Sequence, residues 1–265
     1  MKKVFHLNSK DWKLPGYEVR ELGLRKTKYC ICIPVLNEGE KIKKQLEKMK
    51  KYTKLVDIII ADWGSTDGST DPKFLKEQGV RTLLVNKSFG FQATQLRMAF
   101  AYAMKEGYKG VIQIDGNDKD GVSAIPVFIK ALNDGFDYVQ GSRFIKGGKA
   151  VNTPPLRLVG IKLIAAPIIS LAARFRYTDI TNGFRAYSRN YLLHSQVKPF
   201  RNIFVRYSLN FYLAVRANQL RLKTKEIPVT RRYPKGKTPT KISFLKGNYI
   251  MLSEMLKASL GFYHP

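Results

Sequence analysis

A chain of 265 residues is long enough for one generous domain or two small ones, and its 44% apolar and 12% aromatic content exclude disorder. Lysine and arginine outnumber the acids 47 to 20, a net charge of +27, which predicts an anionic partner: nucleic acid, anionic lipid or a phosphorylated substrate. Cys30 and Cys32, two apart on an apolar run, exclude a disulfide framework and predict a reducing compartment.

Met1–Lys10 is basic without an apolar stretch, so no signal peptide is expected, and residues 1–28, with an isolated Trp12, read as a loosely packed lead-in. Tyr29–Val35 predicts a buried strand, and Glu38–Lys51 a helix with Ile42, Leu46 and Met49 on one face. Strands follow at Val56–Ala61 and Val80–Val85, a helix at Gln92–Lys105, a strand at Val111–Asp115, a helix at Ser123–Leu132 and a strand at Tyr138–Gly141. This alternation predicts an α/β fold, a Rossmann-like, mainly parallel sheet covered by helices, with ligands beyond the carboxyl ends of its strands. Those ends read Pro34-Val35-Leu36-Asn37-Glu38, Asp62-Trp63-Gly64-Ser65-Thr66-Asp67-Gly68 and Asp115-Gly116-Asn117-Asp118, three acid-bearing loops on one rim.

After Gly141 the rhythm changes. A helix over Leu156–Phe175 leads to Asp179-Ile180-Thr181-Asn182-Gly183-Phe184-Arg185, then come a helix over Phe204–Asn218 and a strand over Lys223–Val229. Arg231–Lys237 reads as a flexible basic loop. Ile242–Leu260 is helical with Leu245, Tyr249, Leu252, Met255, Leu256 and Leu260 along one face, for which core packing is favoured over a membrane face. Leu163–Ala173, interrupted by Pro167, reads as too short to span a bilayer, so the chain is expected to be soluble or peripheral and cytoplasmic. Residues 141–265 carry 23 basic side chains against three acids, Asp179, Glu226 and Glu254. The first half can therefore hold carboxylates for a metal or a base, and the second is built to meet anions.

No Gly-x4-Gly-Lys-Ser/Thr loop and no Gly-x-Gly-x-x-Gly follows a strand, which removes the commonest phosphate cradles. Zinc spacing is absent, Asp120 sits where a calcium loop over Asp115–Gly121 needs glycine, and three scattered histidines disfavour a Ser-His-Asp enzyme. What remains is a carboxylate rim facing a basic lobe, which suits a hard divalent cation gripping a pyrophosphate. Mg²⁺ or Mn²⁺ takes one or two carboxylates plus substrate phosphate oxygens and neutralises a departing nucleoside diphosphate.

The succession Ile33-Pro34-Val35-Leu36-Asn37-Glu38, Asp62-Trp63-Gly64-Ser65-Thr66-Asp67-Gly68-Ser69 and Ile114-Asp115-Gly116-Asn117-Asp118 resembles the family 2 glycosyltransferases of GT-A fold. Gly141-Ser142-Arg143-Phe144 and Asp179-x-Thr181-x-Gly183-Phe184-Arg185 resemble the polyprenyl- or dolichyl-phosphate mannose synthase branch, and together the motifs cover roughly residues 29–230. The resemblance implies nucleotide contacts from Pro34, Asn37, Glu38 and Asp62, with Asp67 beside them, and a metal and nucleotide site at Asp115 with Asn117 and Asp118. It divides the chain into a lead-in (1–28), a nucleotide-sugar-binding lobe (29–141), an acceptor lobe (142–240) and a C-terminal amphipathic helix (241–265). Trp63 stands where the family has a second acid or glycine, and Asn117 at the third position of Asp-x-Asp, where an amide oxygen supplies no charge.

A hydroxyl acceptor needs a base to take its proton, worth about 10²–10⁴-fold, whereas a phosphate monoester is already ionised. In the acid-poor half only Asp179 is placed as a base, with Asp118 or Asp120 able to reach across. Arg143, Arg157, Arg185, Arg231 and Arg232 are expected to grip an acceptor phosphate, since guanidinium forks match phosphate oxygens. In the mannose-synthase-like branch the positions resembling Arg143 and Arg157 contact the lipid phosphate. The expected partners are a nucleotide-sugar donor (a UDP-sugar first), a lipid-phosphate or glycan acceptor and an anionic membrane surface. A basic nucleic-acid-binding protein is the rival class, disfavoured because no recognised nucleic-acid motif appears.

Overall fold

The computed structural model describes residues 11–88, 90–236 and 244–265. Tyr17–Glu21 (β1) is an edge strand, followed by Cys30–Val35 (β2), Glu40–Met49 (α1), Asp57–Asp62 (β3), Pro72–Glu77 (α2), Val80–Asn86 (β4), Gln92–Lys105 (α3) and Gly110–Gln113 (β5). Then come Ile125–Asn133 (α4), Tyr138–Ser142 (β6), Lys149–Val151 (β7), Pro155–Gly160 (α5), Ala166–Ala173 (α6), Arg185–Ser188 (β8) and Arg189–Leu192 (α7). Ser208–Gln219 (α8), Thr224–Pro228 (β9), Thr230–Arg232 (β10) and Phe244–Ser259 (α9) complete the order.

One eight-stranded sheet runs β1-β4-β3-β2-β5-β8-β6-β9. β4, β3, β2 and β5 are parallel, as are β6 and β9, while β1 and β8 run antiparallel to their neighbours. The chain winds from β2 outward to β4, then crosses back through α3 to β5 on the other side of β2. Loops leaving β2 and β5 therefore diverge at a topological switch point, where open α/β sheets bind ligands. The sheet is continuous across the two halves of the chain, because β8, β6 and β9 extend the strands of the first half.

The lead-in is more ordered than its composition predicts. β1 pairs with β4 from Tyr17 opposite Asn86 to Glu21 opposite Thr82, and the Trp12 ring lies 4.1 Å from that of Phe200. Residues 1–10, where no signal peptide is expected, lie outside the described residues. α1 buries Ile42, Leu46 and Met49 as its periodicity requires. α3 is buried all round, between the sheet and α8.

The apolar segment after β7 is a continuous helix from Pro155 to Ala173 of 19 residues. It passes through Pro167 because a π-turn, Ile161–Ala165, precedes it, with Ala166 N–H donating to the Ile161 carbonyl. The widened turn accommodates a residue that lacks an N–H. With a mean hydropathy of 1.9 this helix is long and apolar enough to cross a membrane, which corrects the reading of the segment as too short. α6 and α9 pack on α8 and on each other. Of the expected face, Met255 is buried with Ala258 beside it, whereas Tyr249, Leu252 and Leu256 on α9 and Leu260 just past it are exposed. The Leu245 side chain lies outside the described residues, so the core role fails for most of the face that is described.

Candidate active site

Three loops at the carboxyl ends of β2, β3 and β5 build the rim. Gln95 of α3 donates to the Val35 and Ala61 carbonyls, both at 2.8 Å, so the ends of β2 and β3 are held by one buried amide. Asp62 is buried and accepts from the Gly64 and Ser65 amides (3.1 and 3.0 Å) and the Ser65 hydroxyl (2.6 Å). Asn37, at φ +48°, takes the Thr66 amide on its Oδ1 at 2.9 Å, while its own amide donates to Ser65 Oγ at 3.0 Å. The Gly39 amide donates to Asp67 Oδ2 at 2.9 Å. Against the upward push of burial, bonds from the Ser69 hydroxyl and amide and the Gly39 amide hold the Asp67 carboxyl below its usual range. Asp62, Asn37 and Asp67 thus knit the first two loops together. Pro34 lies within β2, and Glu38 pairs with Lys41 at 3.4 Å.

Asp115 stands on the third loop, half-buried. Gln92, at the start of α3, donates to its Oδ1 at 3.4 Å, and Arg231 to its Oδ2 at 3.2 Å. A Cβ on Gly183 would come within 2.6 Å of Asp115 Oδ1, so only glycine lets the carboxylate lie against the loop before β8. Asn117 Oδ1 accepts from the Lys119 amide at 3.3 Å. Asp118, at φ +55°, turns toward α1: Gln45 Oε1 takes its amide at 2.8 Å and Lys48 pairs with its carboxylate at 2.6 Å. Among the described residues no three His, Cys, Asp or Glu side chains cluster as metal ligands. The donor set at Asp115, one carboxylate with the amide oxygen of Asn117 nearby in sequence, fits a cation completed by substrate phosphate oxygens.

The basic half closes over this rim. Arg231, expected in a flexible loop, lies instead on β10, parallel to β7, and is 7% exposed. It pairs with both Asp115 and Asp120. Burial pushes the Asp120 carboxyl up, against the pull of Arg231. Arg143, 3% exposed, forms a fork with Asp179: Nε to Oδ2 at 2.6 Å and Nη2 to Oδ1 at 2.8 Å, with Thr181 Oγ1 accepting from Nη2 at 2.9 Å. Its remaining Nη1 is buried with no partner among the described residues. Asp179 is fully buried, and Glu226 in turn holds its amide at 3.1 Å. Both Asp179 oxygens face Arg143, which leaves neither placed as a base toward an acceptor.

Arg185 does not belong to the acceptor set. It is buried, and its guanidinium donates to the carbonyls of Asn182 (2.9 Å), Asn210 (2.6 Å) and Ile180 (2.6 Å), so its charge is absorbed by the backbone around β8. Arg157 donates to the Tyr233 hydroxyl at 3.0 Å, and Arg232 is exposed on β10. Tyr233 is the residue that sequence reasoning passed over: it is 2% exposed, with Lys119, Arg157 and Arg231 at 5.2, 5.6 and 5.7 Å from its ring centre. An aromatic directly after paired arginines is a signal that could have found it.

Residues 30–194 match glycosyl transferase family 2. The chain belongs to that family. It is 24% identical over 201 residues to an undecaprenyl-phosphate mannosyltransferase of Micrococcus luteus, covering 75% of this chain and 81% of that one. Over 166 residues it is 27% identical to a polyprenol monophosphomannose synthase of Mycolicibacterium smegmatis, covering 61% and 62%. In fold it is similar to glucosyl-3-phosphoglycerate synthase of Mycobacterium tuberculosis, solved with Mn²⁺, UDP and glucosyl-3-phosphoglycerate. The TM-score is 0.65 at 16% identity, over 88% of this chain and 79% of that one. The protein is a glycosyltransferase of family 2 with the GT-A fold.

Proposed function

We infer that this glycosyltransferase moves a sugar from a nucleotide-sugar donor to a polyprenyl phosphate, with inversion at the sugar carbon. The observation that carries the reading is the asymmetry of the cleft. Arg231 pairs with Asp115, and Arg157 and Lys119 gather with it around Tyr233, whereas Asp179 of the basic half is locked onto Arg143. A phosphate acceptor is ionised already and needs cations to hold it; a hydroxyl acceptor needs a free base. Two of the relatives named above carry a polyprenyl group in their names, an undecaprenyl-phosphate mannosyltransferase and a polyprenol monophosphomannose synthase, which supports this reading.

The rim of Pro34, Asn37, Glu38, Asp62 and Asp67 faces the nucleoside in this reading, and Asp115 lies under the diphosphate. Mn²⁺ or Mg²⁺ held by Asp115, with Asn117 as a neutral second donor, would neutralise charge as the nucleoside diphosphate departs. Asp118, tied to Lys48, orders the loop rather than ligating. Asp179 and Thr181 orient the Arg143 fork, and the partnerless Nη1 of Arg143 is a donor ready for a phosphate oxygen. Arg157 reaches the same phosphate from the start of the apolar helix.

Leu163 and Leu171 (72% and 83%), Leu256 and Leu260 are exposed apolar side chains, and Lys162, Arg174 and Lys257 neighbour them in sequence. That combination supports a position on the membrane surface, where a lipid phosphate is presented.

The test is nucleoside-diphosphate release from UDP- and GDP-sugars with Mn²⁺ or Mg²⁺, with and without a short-chain polyprenyl phosphate. Release that requires the lipid phosphate and collapses in Asp115→Ala is expected. Release driven equally by glycan hydroxyls would move the reading to polysaccharide synthesis.

A further inference from the structure

The cations of the cleft converge on one side chain. The Tyr233 hydroxyl accepts from Arg157 Nη1 at 3.0 Å, and Lys119, Arg157 and Arg231 all lie over its ring, so the hydroxyl bond is what sets Arg157 apart from the other two. Arg231 continues to Asp115 and Asp120, so the tyrosine stands between the donor-side carboxylates and the acceptor-side arginines. Its backbone is held on both sides, its amide donating to the Val151 carbonyl at 2.9 Å and its carbonyl accepting from Asn152 Nδ2 at 3.1 Å. A ring so anchored presents its two chemical faces in fixed directions. Burial raises the phenol, yet the charges of Arg231, Arg157 and Arg143 outweigh it and hold the group below its usual value. Among the described residues no acceptor takes the hydroxyl proton, which leaves it free for an anion.

We propose that Tyr233 is a positioning residue that divides one cationic cluster into two phosphate sites. Its hydroxyl sets Arg157 for the acceptor phosphate, and its ring face sets Arg231 and Lys119 for the donor diphosphate. Cation–π contact keeps the Lys119 ammonium in place without neutralising it, as a carboxylate would, and adds to the hold that Asp115 and Asp120 have on Arg231. Like charges packed this closely otherwise repel and spread.

This inference rests on the proposed transferase reading and separates the roles of hydroxyl and ring. Two variants test it: Tyr233→Phe keeps the ring and removes the hydroxyl, and Tyr233→Leu removes both. The probes are UDP and a short-chain polyprenyl phosphate, titrated calorimetrically, alongside the KM for each substrate. Tyr233→Phe is expected to weaken the polyprenyl phosphate about tenfold, the loss of one charge-assisted hydrogen bond, with UDP affinity and kcat within about twofold of wild type. Tyr233→Leu is expected to weaken both ligands. Equal loss of both ligands in Tyr233→Phe, or no loss in either variant, would overturn the division of labour. Unchanged melting temperature in Tyr233→Phe guards against misfolding. Failure of the wild type to turn over any donor with the lipid phosphate would instead overturn the transferase reading. Inorganic phosphate titrated against wild type and Tyr233→Phe would still read the hydroxyl's role in that case, with a tenfold difference supporting it and equality opposing it.

Discussion

Asp179 shows how a single carboxylate can look catalytic in sequence and act otherwise in space. Beside an acceptor motif in an acid-poor lobe it is the natural base, yet its oxygens meet Arg143 at 2.6 and 2.8 Å and it has no exposed surface. Asp179→Asn is therefore expected to raise the acceptor KM about tenfold through a loosened Arg143 while leaving kcat within a fewfold. A general base would behave differently, losing about 10²–10⁴-fold in kcat. Steady-state kinetics at saturating acceptor distinguish the two outcomes. Arg185 and Arg231 carry the same lesson. Both are arginines in a basic lobe, but one is enclosed by three carbonyls and the other reaches the rim from a short strand.

At the scale of elements, α9 is joined to the core by a buried acid. Glu254 accepts the Tyr207 amide at 2.9 Å just before α8. Burial pushes its carboxyl up to about 7 from an ordinary 4.5. The folded chain holds this proton more tightly than the unfolded one, so the stabilisation is full below the unfolded value and is lost as pH rises through about 7. Glu254→Gln, which keeps an acceptor oxygen and carries no charge, should flatten the fall in melting temperature between about pH 5 and about pH 8. Parallel pH profiles for the two proteins would contradict this role.

The exposed apolar faces make a second prediction. Leu163→Glu with Leu171→Glu should abolish flotation with anionic liposomes while sparing UDP binding, since these side chains are 72% and 83% exposed in the fold. Retained flotation would count against the helix as a membrane contact.

The parallel core was legible because β2, β3 and β4 are apolar runs separated by an amphipathic helix and turn residues, and both periods survive in a buried sheet. β1, β7, β8 and β10 were missed. Each is three to five residues long and rich in charged or small side chains, and its partner lies far away in the chain. Pairing of that kind leaves little local trace. The rim loops were visible as motifs, but not that Asp62 would be committed to amides of its own loop and Asp67 to the Gly39 amide of the loop beside it.

At the scale of the molecule, the eight-stranded sheet and the separate β7–β10 pair bring opposite charges together at one rim. The carboxylates come from loops of β2, β3 and β5, and the cations from segments flanking β6, the apolar helix and β10. A general basic protein would spread its charge for a nucleic-acid backbone and lose affinity steeply with salt. Here four cations gather around Tyr233 beside Asp115, which suits two phosphates in succession, one leaving and one attacking. On the proposed reading, the lack of a free base on that side among the described residues favours an ionised nucleophile. The most direct test of this account compares nucleoside-diphosphate release with a short-chain polyprenyl phosphate against release with the polyprenol of the same length. The account predicts turnover with the phosphate and only background with the alcohol. Comparable turnover with the alcohol would contradict it and require a base to take the hydroxyl proton.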